Sequence, residues 1–126
     1  KFDIARSIME SVAYMLRENL ALLGFVDLKT SDMVSLGGAS KSSVWQQIKA
    51  DVCRRNIVSL MDDESTALGC AFNAGIALGM LEEKDIPTLI QIRDTYIPNQ
   101  VRGERYDRKY ATYLDLNHRL GYDETL

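Results

Sequence analysis

Cysteine, proline, histidine and tryptophan are scarce in this chain of 126 residues, which holds two, two, one and one of them. Each shortage removes a class of chemistry. Cys53 and Cys70, both inside helical patterns, cannot build a disulfide framework and suit a reducing cytoplasm. His118 is the single histidine, so a His-based metal site or a Ser–His relay lacks partners. An excess of basic charge is also missing. The formal net charge is −3 and the pI about 5.1, which argues against nucleic acid or an anionic membrane as main partner. No secretory signal pattern opens the sequence as given. The longest nearly apolar run, Ala67 to Leu81, is broken by Asn73 and is too short for a membrane span.

What is present is ordinary for a soluble globular protein: 46% hydrophobic and 26% charged residues. A chain of this length is one domain or part of one, able to bury roughly two thirds of its unfolded surface. Lys1 opens the sequence with a helical pattern that begins at once, so the expectation is a piece of a longer parent.

From Asp3 to Leu23, Ile4, Ile8, Val12, Met15, Leu16, Leu20 and Leu23 recur at helical spacing, with Asp3 as expected N-cap and Gly24 as stop. Asp32–Leu36 reads as a short strand and Ser43–Arg54 as a helix, with Ser43 and Gln46 spaced as a capping box. Asn56–Leu60 is a second strand, because Ile57, Val58 and Leu60 favour a buried pleated surface. A further helix, Glu64 to Leu81, follows the acidic run Asp62, Asp63 and Glu64 at its dipole-positive end. Ala67, Ala71, Gly75 and Gly79 fall on one face of it, which predicts close helix–sheet packing. A short helix is expected around Pro87. The last helix is expected over Glu104–Leu120, with Tyr106, Tyr110 and Tyr113 packed inward and Arg102, Arg105, Arg108 and Lys109 solvated.

Strand, helix, strand in that order implies a crossover unit with parallel strands. Two parallel strands alone are marginal, so further strands are expected upstream of this sequence. The fold class expected is α/β: parallel strands with flanking helices and a helix-rich C-terminus.

The strongest functional lead is the junction of the first strand and its helix. Met33 to Leu36 runs into Gly37-Gly38-Ala39-Ser40-Lys41-Ser42-Ser43 and then the helix. Glycines let backbone amides approach a ligand, and a helix start adds unpaired N–H groups and a positive dipole end. Ser40, not glycine, precedes Lys41-Ser42, and position 35 is Ser35, so this is no P-loop. The three spaced glycines of a dinucleotide fingerprint are missing as well. From local physics alone, a tight turn and an anion site stand level, since both use the same geometry. The acidic run at 62–64 reads as a helix start rather than a metal cage. Asp51 reads as a structural helix carboxylate, and Trp45 as core.

Residues Gly37-Gly38-Ala39-Ser40-Lys41-Ser42-Ser43-Val44-Trp45-Gln46-Gln47-Ile48-Lys49-Ala50-Asp51 resemble the Gly-Gly-Gly-Ala-Lys-Ser-x-x-Trp-x-Gln-x-x-Ala-Asp stretch of the FGGY carbohydrate kinases, xylulose kinases especially. Glu64-Ser-Thr-Ala-Leu-Gly-Cys-Ala71 resembles that family's later Glu-x-x-Ala-Leu-Gly-Ala-Ala helix start. The opening Asp3–Glu10 is similar to part of its C-terminal pattern, and Tyr106, Tyr110 and Tyr113 to its tail helix. The likeness spans nearly the whole chain in order. One departure is that Ala39 and Ser40 stand where sugar kinases often have Gly and Ala, although glycerol kinases share Gly-Gly-Ala.

The resemblance implies part of an actin-like ATPase (ribonuclease H-like) domain, with residues 1–126 as the C-terminal portion of a second, nucleotide-binding domain. It implies ATP-dependent phosphorylation of a sugar hydroxyl, D-xylulose first, with gluconate, rhamnulose, ribulose or glycerol as alternatives. Gly37, Gly38 and Ala39 would offer backbone to nucleotide phosphates and ribose, and Ser42 would sit near adenine. ATP or ADP would be the ligand, with Mg²⁺ held mostly by residues outside this chain. Catalytic base and sugar-binding residues would lie upstream, and the piece alone would be inactive. From another class, a non-catalytic α/β module forming a homodimer through its open sheet is the rival.

Overall fold

The computed structural model describes residues 1–23, 32–62 and 64–122. Gly24, the expected helix stop, and Asp63 of the acidic run lie outside the described residues. Helix α1 covers Phe2–Leu23 and strand β1 Asp32–Ser35; a 3₁₀ turn, Gly38–Lys41, leads into α2, Ser43–Cys53. Strand β2, Asn56–Leu60, is followed by α3 (Ser65–Ala77), α4 (Ile86–Leu89), β3 (Ile92–Tyr96) and α5 (Gln100–Arg119). The strand–helix–strand unit is present as its pattern predicts.

The sheet has the order β1-β2-β3. β1 and β2 pair in parallel, with Met33 opposite Ile57 and Val34 opposite Val58. β3 pairs antiparallel with β2, with Ile57 opposite Tyr96. This third strand has no assignment in the sequence reading. Arg93, Asp94 and Thr95 give it no apolar alternation, because it is an edge strand with mostly exposed side chains. Central β2 carries the buried segment Ile57, Val58 and Ser59.

The main core is a three-helix junction. Ala13 and Tyr14 of α1 meet Ile48 and Val52 of α2 and Tyr106 of α5, with Met9, Tyr110 and Tyr113 packed around them. The tyrosine row therefore faces inward, and its rings lie 5.4–6.3 Å from Tyr14, the spacing of attractive aromatic pairs. Trp45 is half-buried and donates its ring N–H to the Met9 carbonyl at 3.3 Å.

Asp51 joins this core from the α2 side. Its carboxylate is 1% exposed and accepts from the Asn99 N–H at 2.7 Å, Gln47 Nε2 at 2.9 Å and Arg102 Nε at 2.5 Å. It fixes the start of α5 on α2, a structural role.

Several expectations need correction. Helix α1 already starts at Phe2, so Asp3 lies in its first turn and is not its cap, and α5 starts at Gln100 rather than Glu104, capped by Asn99. Ser42, not Ser43, caps α2, accepting from the Trp45 N–H at 3.4 Å; the spaced glutamine therefore cannot close a capping box and turns elsewhere. Helix α3 ends at Ala77 rather than Leu81 and buries none of its residues. Its small-residue stripe does not pack on the sheet. Ala67 and Ala71 are exposed, a Cβ at Gly75 would meet Leu81 Cβ at 3.3 Å, and Gly79 lies past the helix end at φ +68. Gly75 and Gly79 serve the turn that ends the helix, where a left-handed residue and close chain return favour glycine.

Candidate functional site

The C-terminal ends of the parallel strands β1 and β2 open into two loops, and ligands of open α/β sheets bind outside such strand ends. The first loop holds the glycines. Gly37 has φ +79 and ψ −176, a region almost restricted to glycine. A Cβ added at Gly37 or Gly38 would meet nothing within 4 Å. The backbone here needs glycine for its conformation at 37 and stands open to incoming groups at both positions.

Beyond this bend the chain tightens. The Ser40 N–H donates to the Gly37 carbonyl at 2.9 Å and the Ser42 N–H to the Ala39 carbonyl at 3.3 Å. Gly38 and Ala39 open the 3₁₀ turn, so no carbonyl of that turn reaches their N–H groups. Immediately afterwards α2 begins, adding the partial positive charge of a helix start. The Ala39 carbonyl is drawn inward by the buried Gln46 side chain, whose Nε2 donates to it at 2.8 Å.

Two connected cavities flank the bend. One, of about 560 Å³, is lined by Lys41 from the glycine loop, Leu60 and Asp62 from the end of β2, and Glu64 at the start of α3. The other, of about 300 Å³, is apolar, with Val34, Leu36, Leu60, Leu68, Phe72 and Ile90 in its walls. Leu60, Leu68 and Ile90 belong to both. The first cavity is mixed, with Leu60, Met61, Leu68, Leu89 and Ile90 beside its charged groups; a mixed space next to an apolar slot suits a ligand with a polar end and a flat or aliphatic body.

The four residues singled out from sequence stand on this rim in different ways. Gly37 and Gly38 are exposed and Ala39 half-buried, yet none of the three lines either cavity; their flanks Leu36 and Lys41 do. The Ser42 hydroxyl is engaged as the α2 cap. Sequence reasoning missed Leu60, Leu68, Phe72 and Ile90. Their only advance signal was position just past a strand end or on α3, since isolated apolar residues read as core.

Under the sheet, Lys49 donates to Ser35 Oγ at 3.3 Å, and its ammonium lies 4.8 Å from the Trp45 ring centre. Burial pulls its pKa below the usual lysine value. Among the described residues no group of three His, Cys, Asp or Glu side chains could hold a metal ion. No helix among them is long and apolar enough to cross a membrane.

Comparison with known proteins matches residues 1–78 to the C-terminal domain of the FGGY family of carbohydrate kinases. A xylulose kinase of Haemophilus influenzae is 36% identical over 115 residues, covering 89% of this chain and 23% of that protein. An autoinducer-2 kinase of Yersinia pestis is 36% identical over 102 residues, covering 79% of this chain and 19% of that protein. Among solved structures, the xylulose kinase of Rhodospirillum rubrum superposes with a TM-score of 0.79 at 29% identity, over 92% of this chain and 24% of that one. The chain thus spans about a quarter of the length of the xylulose kinases it matches.

Proposed function

The chain belongs to the FGGY family of carbohydrate kinases, with the actin-like ATPase fold of its structural neighbours, and from that premise we propose that it forms the nucleotide-holding C-terminal portion of a kinase that phosphorylates a sugar hydroxyl. The observation that carries this reading is the open Gly37-Gly38 bend. It stands at the end of a parallel strand, ahead of a helix start, beside a cavity of mixed lining that shares Leu60, Leu68 and Ile90 with an apolar one.

Phosphoryl transfer is mostly positioning and charge stabilisation: an in-line hydroxyl, a base, and donors on the phosphates. In this reading the Gly38 and Ala39 N–H groups and the α2 start face the phosphate tail of ATP or ADP, as helix-start amides do in other anion sites. Ala39 lies next to the ribose. Ser42 acts on the adenine side only through the loop it caps. The apolar slot formed by Leu36, Leu60 and Phe72 takes the base. In this reading the catalytic base and the groups that hold the sugar and Mg²⁺ belong to the remainder of the protein.

D-xylulose is the first substrate to test. The relatives named for xylulose and for autoinducer-2 are equally identical to this chain, which supports a reading in which acceptor choice lies outside this portion. The decisive experiment is nucleotide titration of the full-length protein carrying Gly38→Asp. A carboxylate in that open space opposes a phosphate tail, and ADP affinity should fall at least about tenfold, a change of about 1.4 kcal/mol. Unchanged affinity removes the cradle.

A second reading, self-association, has its own observation. Phe2, Ile4 and Ile8 on α1 are 91%, 68% and 60% exposed, and β1 is an edge strand carrying exposed Val34. It predicts concentration-dependent dimers whose population nucleotide does not change, read by sedimentation with and without ADP.

A further inference from the structure

Away from the glycine bend, the N-terminal halves of α1 and α5 enclose a separate cavity of about 240 Å³. Its walls are Arg6, Glu10, Arg102, Arg105, Tyr106 and Lys109. Four cationic side chains therefore face one carboxylate. Arg102, Arg105, Tyr106 and Lys109 fall at i, i+3, i+4 and i+7 of α5, one face of the helix, where like charges repel one another. A chain with a net charge of −3 thus concentrates positive charge in one concave place.

The floor of the cavity is a fixed network. Glu10, buried, accepts from Arg6 Nε at 2.8 Å, from Lys109 Nζ at 2.9 Å and from the Tyr106 hydroxyl at 3.0 Å. Arg6 also donates to the Tyr106 hydroxyl at 2.8 Å. Arg102 is held by Asp51 at 2.5 Å. Each of these cations keeps further N–H donors beyond those bonds, because guanidinium offers five and ammonium three. Arg105 is exposed and makes no hydrogen bond or ion pair among the described residues. One carboxylate on the floor and Asp51 behind Arg102 leave an excess of two positive charges at the mouth.

We infer that this cavity between α1 and α5 is a binding site for a small oxyanion bearing a phosphate group, built by Arg105, Lys109, Arg102 and Arg6 and independent of the glycine bend. Guanidinium forks match phosphate oxygens two at a time, and charge-assisted bonds of this kind are about twice as strong as neutral ones. The buried Glu10 sets the spacing of Arg6 and Lys109 before any ligand arrives, so of the cations at the mouth Arg105 is the one that binding has to order. The volume holds one phosphate group with a short appendage, not a polymer strand, and the overall acidity of the chain disfavours nucleic acid.

The test is titration of inorganic phosphate into the full-length protein, against potassium chloride at matched ionic strength, followed by calorimetry and thermal melting. A ligand that binds only the native state raises the melting temperature in a saturable way. The wild type and Gly38→Asp should both show this response. Arg105→Gln, which breaks no existing bond, should weaken the phosphate dissociation constant about tenfold or more, and Lys109→Gln should do likewise. A response to phosphate no larger than that to chloride overturns the site. So does a saturable response that survives Arg105→Gln, or one abolished by Gly38→Asp alone, which would place the anion at the glycine bend. Glycerol phosphate in parallel separates the sources: tighter binding of the ester supports a phosphorylated metabolite, and equal or weaker binding supports free phosphate.

Discussion

The Gln46 side-chain amide donates to the Ala39 carbonyl at 2.8 Å, from a side chain that is 0% exposed. A helix residue thereby anchors the glycine bend that precedes its own helix. Its other amide atom, Oε1, is buried without a hydrogen-bond partner, an unusual cost for a core position. Gln46→Met removes the anchoring bond and the unpartnered oxygen together, so the two stability effects offset to within about 1 kcal/mol. The bend loses its tether nonetheless. Nucleotide affinity of the full-length protein should fall several-fold while the melting temperature stays near that of the parent. A fall in stability with no change in affinity would show that Gln46 serves only the fold.

Gly37 and Gly38 should respond differently to alanine. Both have open space for a Cβ, but only Gly37 has a positive φ. Gly37→Ala should cost about 1–3 kcal/mol through backbone strain. Gly38→Ala should fall within about 0.5 kcal/mol of the parent, as surface substitutions do. Denaturant unfolding of the two variants side by side checks the contrast.

Asp51 holds the Asn99 N–H and Arg102 together at the start of α5. Asp51→Ala leaves a backbone donor without its partner and a cation without its counter-charge. Stability should drop by about 2–3 kcal/mol, with α5 amides exchanging faster than those of β2. Asp51→Asn keeps part of the hydrogen bonding and should lie between alanine and wild type.

Acid should act through Glu10. Burial pushes its pKa up, but hydrogen bonds from Lys109, Arg6 and Tyr106 outweigh burial and leave it below the ordinary value of 4.5. A carboxylate depressed in the folded state adds stability that is complete above its unfolded pKa and lost as pH falls through its folded one. Stability should therefore decline as pH drops below about 4.5 toward that lowered value. In Glu10→Gln the starting stability should be lower and this part of the acid slope shallower. Unfolding free energy measured from pH 6 to pH 3 decides it. An unchanged slope would mean that Glu10 is not held in its charged form.

The sequence by itself determined the local elements and the bend. Apolar spacing and β-branched runs mark where α1, β1, α2 and β2 lie, but not which face of α1 is buried: Ile4, Ile8 and Met15 of its apolar stripe are exposed, and Glu10, Ala13 and Tyr14 are buried instead. Two adjacent glycines after a strand marked the turn, and order and spacing of motifs marked the family. Tertiary structure decided the rest. β3 formed because β2 offered an open edge to Arg93, Asp94 and Thr95, whose own pattern lacks an apolar face. The α3 glycines, which read as a packing stripe, became a helix stop because the chain turns back at Leu81. Burial of Asp51 joins residues about fifty positions apart, and burial of Glu10 and the clustering of Arg6 with Arg102 and Arg105 join residues about a hundred apart. Side-chain periodicity is a local property of one element, whereas charge neighbours and cavity walls depend on how separate elements cross.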